Sequence, residues 1–329
     1  MKIEPLLSRI RADKFFTIPK KIGGKRKYII NGVDKNIRFF ELLPVSKSRK
    51  AEGGLRVQGI FKRSEKDLPL VSIITVVLNG EQYLEEAVRS VINQTYNNVE
   101  YIVIDGGSGD GTLEIINKYN NQIDYWVSES DDGIADAFNK GISLCAGEII
   151  GIINADDWYE LDAIEKIVEL RGRSAVFCGN VQYWDGYRKD YIFSTNIPGL
   201  LKEMTVNHPA VFVCKDIYKK YGVFDSEYRY AMDYELLLRF YKNGVEYISV
   251  NSVLANMRLA GLSDTNRKKS YRDVRLAKMQ HGEYYLVAFG YYFKQLVRKK
   301  ISDLLTLLGL ESTVMLYRRK RSIIKKTKT

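Results

Sequence analysis

Cysteine and histidine are scarce in this 329-residue chain, which has three of the first and two of the second. Cys145, Cys178 and Cys214 are too few and too scattered for a disulfide framework or a Cys-rich zinc site, so a reducing compartment is the simpler setting. With only His208 and His281 present, a histidine-based zinc site is disfavoured as well. Long apolar runs are also missing. No stretch reaches the roughly 18 residues of a membrane span, and the N-terminus, MKIEPLLSRIRADKFF, lacks the apolar core and cleavage site of a secretory signal. The chain is therefore expected in the cytoplasm. Hydrophobic residues at 45% and charged residues at 28% are ordinary for a folded protein, which disfavours disorder, collagen and repeat arrays. At roughly 150 residues per domain, the length suggests two domains, or one large domain with appendages.

The net charge of +11 is unevenly spread. Residues 1–66 carry a balance of +12, residues 67–266 one of −14, and residues 267–329 one of +13. A nucleic-acid reader usually puts its basic surface on the folded domain, so an acidic middle between basic ends argues against nucleic acid. Acidic centres suit metal ions, and basic ends suit anionic surfaces.

From Pro69 onward strands and helices alternate, the pattern of an α/β fold with a mostly parallel sheet covered on both faces. Val71 to Leu78 is a near-continuous β-branched run, as a buried strand requires. A helix follows from Glu81 to about Ile92, with an apolar stripe in Leu84, Ala87, Val88 and Val91. Further strands are expected at Tyr101–Ile104, Tyr125–Val127 and Ile149–Ile153, with helices from Thr112, as cap, to Tyr119 and from Ile134 to Cys145. Beyond Asp157 the pattern loosens, with helices at Leu161–Leu170 and Tyr234–Tyr241 and strands at Ala175–Cys178 and Tyr191–Phe193. A strand pair is expected around Lys27–Ile30 and Ile37–Phe40, and the chain from Ser270 reads as helical.

In open parallel sheets ligands bind outside the carboxyl ends of the strands. Three polar clusters fall there: Thr75 to Asn79, Asp105 to Asp110, and Asn154 to Asp157. A carboxylate at Asp105 can accept from a base N–H or a ribose hydroxyl, although Asp-Gly-Gly-Ser-Gly-Asp also reads as an ordinary turn. A dinucleotide loop is disfavoured, since Gly-x-Gly-x-x-Gly is absent. Asp156 and Asp157 stand side by side after an apolar strand, where their repulsion calls for a cation or a solvated mouth. One of them also reads as a cap for the following helix. Asp233, ahead of Tyr234-Glu235-Leu236-Leu237-Leu238, is either a helix N-cap or a base held at a rigid helix start.

With these segments the chain resembles a family 2 glycosyltransferase of the GT-A fold, most similar to bacterial enzymes of cell-surface polysaccharide assembly. The resemblance spans about residues 69–265. It is carried by Val71 to Gly80, Tyr101 to Thr112, Ser130-Asp131-Asp132-Gly133-Ile134, Asn139-Lys140-Gly141, Asn154-Ala155-Asp156-Asp157 and Asp233 to Leu237, in the family's order. It implies a GT-A-like, doubly wound, mixed and mostly parallel sheet in residues 67–266. A basic N-terminal extension, 1–66, and a helical C-terminal region, 267–329, flank it.

The resemblance also implies roles. Thr75, Asn79 and Asp105 match positions that hold the nucleoside, and Asp132 one near the donor's uridine or sugar. Asp156 matches the metal-ligating carboxylate of the family's Asp-x-Asp element, whose first position is Asn154 here, a neutral contact to ribose or metal. Asp233 matches the general base, with His208 next in line. Phe138 stands where many relatives carry an arginine.

The implied reaction is inverting, dependent on Mg²⁺ or Mn²⁺, and moves a sugar from a nucleotide sugar, expected to be a UDP-sugar, to a saccharide acceptor that is either free or lipid-linked. A metal would stabilise the leaving phosphate, and a carboxylate opposite would take the hydroxyl proton. Arg258 and Ser263 are candidates for phosphate contacts, an exposed ion pair being the plainer reading of the arginine. Nucleotidyl transfer to a sugar phosphate is a second enzyme reading, and an inactive membrane- or nucleic-acid-binding scaffold a third. Asn79-Gly80-Glu81 is no phosphate loop, and retention of Asp105, Asp156 and Asp233 argues against inactivity.

The aromatic run Tyr284 to Phe293, followed by Lys294, Arg298, Lys299, Lys300 and then Leu304 to Leu308, suits a helix lying in a headgroup plane. Peripheral attachment to the anionic inner face of the cell membrane is the corresponding expectation, with packing onto the catalytic domain as the plainer alternative.

Overall fold

The structure, a computed structural model, describes residues 39–259 and 266–310 and the backbone of three short strands at 20–22, 25–27 and 325–328. Strands β1 (Lys20–Ile22) and β2 (Lys25–Lys27) form a separate ribbon. Of the expected N-terminal strand pair, residues 28–38 lie outside the described residues, and Phe39 and Phe40 carry no strand.

The parallel centre of the fold comes from β4 (Val71–Val77), β5 (Val99–Asp105), β6 (Tyr125–Glu129) and β7 (Ile149–Asn154), in the order β7-β4-β5-β6. All seven residues of β4 are buried, as expected for a β-branched run covered on both faces. Helix α1 (Leu84–Ile92) buries Leu84, Ala87, Val88 and Val91, the stripe read from the sequence. It starts three residues later than the pattern suggests, because residues 80–83 form a turn in which Leu84 N donates to Gly80 O at 3.0 Å. Helix α2 (Thr112–Lys118) has Gly111 at its cap. Thr112 is not the cap: its hydroxyl accepts from Gly80 N at 2.8 Å and donates to Asp110.

Helix α3 (Ile134–Leu144) is buried on nearly every side. Gly141 lies so close to the sheet that a Cβ there would meet Ile74 at 2.5 Å. After β7 come β8 (Trp158–Tyr159) and α4 (Ala163–Glu169). With β8 intervening and Asp162 at the start of α4, neither Asp156 nor Asp157 caps that helix.

The other half of the sheet is largely antiparallel. It contains β9 (Ala175–Asp185), β10 (Arg188–Ser194), β11 (Val211–Cys214) and β12 (Glu246–Arg258), with β13 (Lys325–Lys328) beside β10. Strand β11 lies between β9 and β7 and joins the two halves. Strand β12 runs parallel to β9 and carries β8 on its other edge. The sheet is thus mixed, as expected. Helices α5 (Lys215–Tyr221), α6 (Met232–Lys242), α7 (Arg267–Gln280) and α8 (Tyr285–Leu307) complete the described chain.

Strand β3 (Arg49–Gly53), from the stretch expected to be an extension, pairs antiparallel with β6 as an edge of the same sheet. Arg56 is buried, paired with Glu100, and donates to the carbonyl oxygens of Glu41 and Leu144. Residues 39–58 therefore pack with the sheet.

Candidate active site

Strand register sets up a polar row. Val76 pairs with Asn154, Val77 with Asp105, and Asp105 with Ser128, so the carboxyl ends of β7, β4, β5 and β6 stand level. Gly80, in the loop after β4, approaches the loop after β7: a Cβ there would lie 3.5 Å from Ala155. This is where ligands bind in open α/β sheets.

Asp105 is fully buried and already well bonded. It accepts from Ser108 N at 3.1 and 3.3 Å, from the Ser108 hydroxyl, and from the Ser128 hydroxyl at 2.5 Å. Ser108 Oγ in turn accepts from Asn79 N at 2.8 Å, and Asn79 Oδ1 accepts from Gly109 N at 2.9 Å. Asn79 holds φ at 52°, the left-handed region that asparagine tolerates better than most residues. Asn79 and Asp105 are thus tied into one loop through Ser108. Lys50 of β3 reaches the same loop, donating to Gly107 O at 2.7 Å and Ser108 O at 3.0 Å.

Thr75 is not part of this row. It lies inside β4, fully buried, and its hydroxyl accepts from Tyr101 Oη at 3.0 Å, so it faces the core and not the crevice. Asp132 is exposed, with its backbone N–H on Asp136 at 3.2 Å. Its neighbour Asp131 is the carboxylate that approaches the Asp105 loop: a Cβ on Gly106 would meet Asp131 Oδ2 at 2.7 Å. Burial pushes the Asp131 carboxyl above its usual value. Sequence alone did not separate the two, because adjacent residues in a loop carry no periodicity.

After β7, Asn154 Nδ2 donates to Asp157 Oδ2 at 3.3 Å, while Asn154 Oδ1 and Asp157 Oδ1 are buried without a hydrogen-bond partner. Burial, with the charge of Asp156 adding to it, raises the Asp157 carboxyl well above the carboxylate range. Asp156 is half-buried. Two unpaired buried oxygens beside a third oxygen donor suit a hard cation, which would satisfy them and keep Asp157 ionised. Among the described residues no group of three or more His, Cys, Asp or Glu side chains gathers, so the amide of Asn154 and the substrate would have to supply the remaining ligands.

Arg258, at the end of β12, pins this loop. Its guanidinium lies 4.3 Å from the Tyr83 ring centroid and 4.5 Å from that of Trp158. It donates to Asp156 O and to the Glu86 carboxylate on α1. It is therefore neither a simple exposed pair nor free to meet a phosphate in this state. Ser263 lies outside the described residues.

Asp233 stands at the second position of α6, behind Ala231 at the cap, so it is not the N-cap. It is half-buried, its Oδ1 accepts from Tyr234 N at 2.8 Å, and burial raises its carboxyl above the usual value. Asn139 and Lys140 explain why their motif matters. Lys140 lies 3.1 Å from Ser130 O, 3.3 Å from Glu129 and 3.4 Å from Asp136, while Asn139 exchanges two hydrogen bonds with Phe224 in the approach to α6. Phe138 packs on His208 and Phe224, with ring centroids 5.3 and 4.9 Å apart. Burial there lowers the His208 imidazole to about 4, which makes it a weaker base than a free histidine.

The model of glycosyl transferase family 2 matches residues 72–259, more than half of the chain. The chain belongs to that family. This family 2 glycosyltransferase is 29% identical to an uncharacterized glycosyltransferase of Rickettsia typhi over 60% of its own length; the match spans 66% of that relative, just under two thirds. It is 28% identical to a PGL/p-HBAD biosynthesis glycosyltransferase of Mycobacterium bovis, with 62% of this chain and 82% of the relative covered. Among solved structures it resembles S. aureus TarS 1–349 in complex with UDP-GlcNAc (TM-score 0.54, 16% identity, 69% of this chain and 71% of that one). It also resembles the Pyrobaculum calidifontis mannosyltransferase solved with GDP-Man and Mn²⁺ (TM-score 0.52, 17% identity, 76% and 81%). These likenesses establish the GT-A-like fold of this family 2 glycosyltransferase.

Proposed function

We propose that this glycosyltransferase inverts the anomeric centre as it moves a sugar from a nucleotide sugar, a UDP-sugar first among candidates, to a saccharide acceptor. The observation that carries the reading is the level row of Asn154, Asp105 and Ser128 across four parallel strand ends, with the unpaired oxygens of Asn154 and Asp157 at one end. UDP-GlcNAc and GDP-Man in the two structural neighbours support a nucleotide-sugar donor.

In this reading the loop of Asn79, Asp105 and Ser108, with Asp131 beside it, receives the nucleoside. Its present hydrogen bonds hold it in shape before donor arrives. Asp156, with Asn154 Oδ1 and Asp157, would hold a divalent cation. When bound, that ion would offset charge on the diphosphate. Arg258 fixes the backbone of Asp156 against α1, so its carboxylate needs little reorganisation. Asp233 takes the proton from the acceptor hydroxyl as the new oxygen–carbon bond forms and the bond to the leaving phosphate breaks. Attack from the face opposite the phosphate inverts the centre. A raised carboxyl is a better base than an ordinary aspartate, and such catalysis contributes roughly 10²–10⁴-fold.

The acceptor is proposed to be a saccharide of cell-surface polysaccharide assembly, carried on a lipid. That places the enzyme peripherally at the inner face of the membrane, with α8 as the supporting feature. Donor hydrolysis measured over a panel of nucleotide sugars, with and without Mn²⁺, tests the donor and metal assignments. Equal hydrolysis in EDTA, or none with any nucleotide sugar, overturns them.

A further inference from the structure

Helix α8 has an inner and an outer side. Its buried residues, Ala288 and Gln295, are seven positions apart and share one side. Tyr291 and Tyr292 flank that side, 5.2 Å from Lys278 Nζ and from the Arg275 guanidinium of α7 respectively, so it rests on α7. At about 100° per residue, Leu286, Phe289, Phe293, Val297, Ile301 and Leu304 fall on the opposite side, at spacings of three and four. All six are exposed, Leu286 at 79% and Phe293 at 59%.

The stripe spans about 27 Å of a 23-residue helix at 1.5 Å per residue, a row of exposed apolar side chains of the kind that marks an interaction surface. Lys294, Arg298 and Lys300 border it. The one acid of α8, Asp303, is held by Lys299 at 2.6 Å. No helix among the described residues is long and apolar enough to cross a membrane.

We propose that α8 lies in the headgroup plane of an anionic bilayer, its stripe toward the acyl chains and Lys294, Arg298 and Lys300 on lipid phosphates. This rests on the peripheral-membrane part of the proposed function and adds the contact face and the basic residues that meet the lipid phosphates. The charge layout selects the occupant. Two copies meeting stripe to stripe would set Lys294, Arg298 and Lys300 of one against those of the other, whereas an anionic surface neutralises them.

Co-sedimentation of the full chain with vesicles of phosphatidylglycerol and phosphatidylcholine, against phosphatidylcholine alone, tests the proposal. The expected result is binding to the anionic vesicles at low salt, at least tenfold weaker at high salt and on the neutral vesicles. Leu286→Ser, Phe293→Ser and Leu304→Ser together should weaken it at least tenfold with the circular dichroism spectrum unchanged, because these side chains face solvent. Lys294→Gln, Arg298→Gln and Lys300→Gln together should flatten the salt dependence. The Asp233→Asn chain should bind vesicles as the wild type does, so a failure of the transfer reading would leave this result standing. A chain that stays in the supernatant with anionic vesicles at low salt overturns the proposal. So does equal binding to neutral vesicles, or a dimer in light scattering that the serine variants dissolve while vesicle binding persists.

Discussion

Asn139 and Phe224 exchange hydrogen bonds in both directions: the amide nitrogen of Asn139 donates to Phe224 O at 2.8 Å, and its oxygen accepts from Phe224 N at 3.0 Å. Because Lys140, the next residue, holds Ser130, one helical turn joins the segment beside Asp105 to the approach of Asp233. Asn139→Ala would leave a buried N–H and a buried carbonyl unpaired, each costing about 1–3 kcal/mol. The expected outcome is a melting temperature lowered by about 2–4 °C per kcal/mol, with turnover falling alongside. An unchanged melting temperature would mean that the pair carries no weight.

For the strand-end cluster, Asp156→Ala is expected to abolish transfer and Mn²⁺-dependent donor binding, since a methyl cannot replace an anionic ligand. Isothermal titration with donor, with and without Mn²⁺, checks this independently of turnover.

Asp157 gives a separate readout in stability. A carboxyl whose folded pKa lies above its unfolded value costs stability as pH rises above the unfolded value, near 3.8. Without metal, Asp157→Asn should therefore melt higher than wild type at pH 7, and the gap should close toward pH 3. Saturating Mn²⁺ should raise the wild-type melting temperature and leave the variant nearly unmoved. A Mn²⁺ shift of equal size in both would remove Asp157 from the cation site.

Asp233→Asn keeps the shape of the side chain but cannot take a proton. Turnover should fall by roughly 10²–10⁴-fold while donor affinity stays near wild type, the pattern of an interaction made mainly in the transition state. Wild-type turnover should decline as pH falls through the raised pKa of Asp233, because the protonated form is not a base. A pH–rate profile of Asp233→Asn that keeps that acid limb would move the base to another residue.

The motifs legible in the sequence sit where chain-local physics is strong. The runs of β4, β5 and β7 announce buried strands, and polar residues closing such runs announce a crevice. The direction in which a polar residue inside a doubly buried strand faces is not a local property, which is why Thr75 read as a crevice residue and packs on Tyr101 instead. Arg258 finds Glu86 across 172 positions, and no spacing foretells the stack of Tyr83, guanidinium and Trp158. The sequence does not announce strand β12, whose buried and half-exposed residues follow neither a clean alternation nor an apolar run. Lys50 lies outside the segments that carry the resemblance, and only the pairing of β3 with β6 brings it to the Asp105 loop.

The remaining prediction concerns the support of α6. Glu235 is fully buried, which by itself would raise its carboxyl, yet Arg239 and His281 prevail and hold it at about 2. Arg239 Nε and Nη2 each lie 3.0 Å from its oxygens, and His281 Nε2 lies 2.7 Å away. The same guanidinium donates to Tyr221 O at 2.5 Å and Val223 O at 2.7 Å, so Arg239 ties α6 to the preceding segment while Glu235 holds Arg239 and, through His281, the end of α7. A carboxylate depressed in the fold contributes stability that is complete above its unfolded value, near 4.5, and is lost as pH falls toward 2. Glu235→Gln would leave Arg239 buried without its counter-charge, at about 3–5 kcal/mol. Wild type should therefore lose melting temperature between pH 4.5 and pH 2 by more than the Gln variant, which starts lower at pH 7. Because Asp233 sits two residues before Glu235 on the same helical turn, turnover should fall with the variant's stability while Mn²⁺-dependent donor binding, made by the strand-end residues, persists. Equal melting curves for the two proteins across that pH range would show that the buried triad does not hold the helix that presents Asp233.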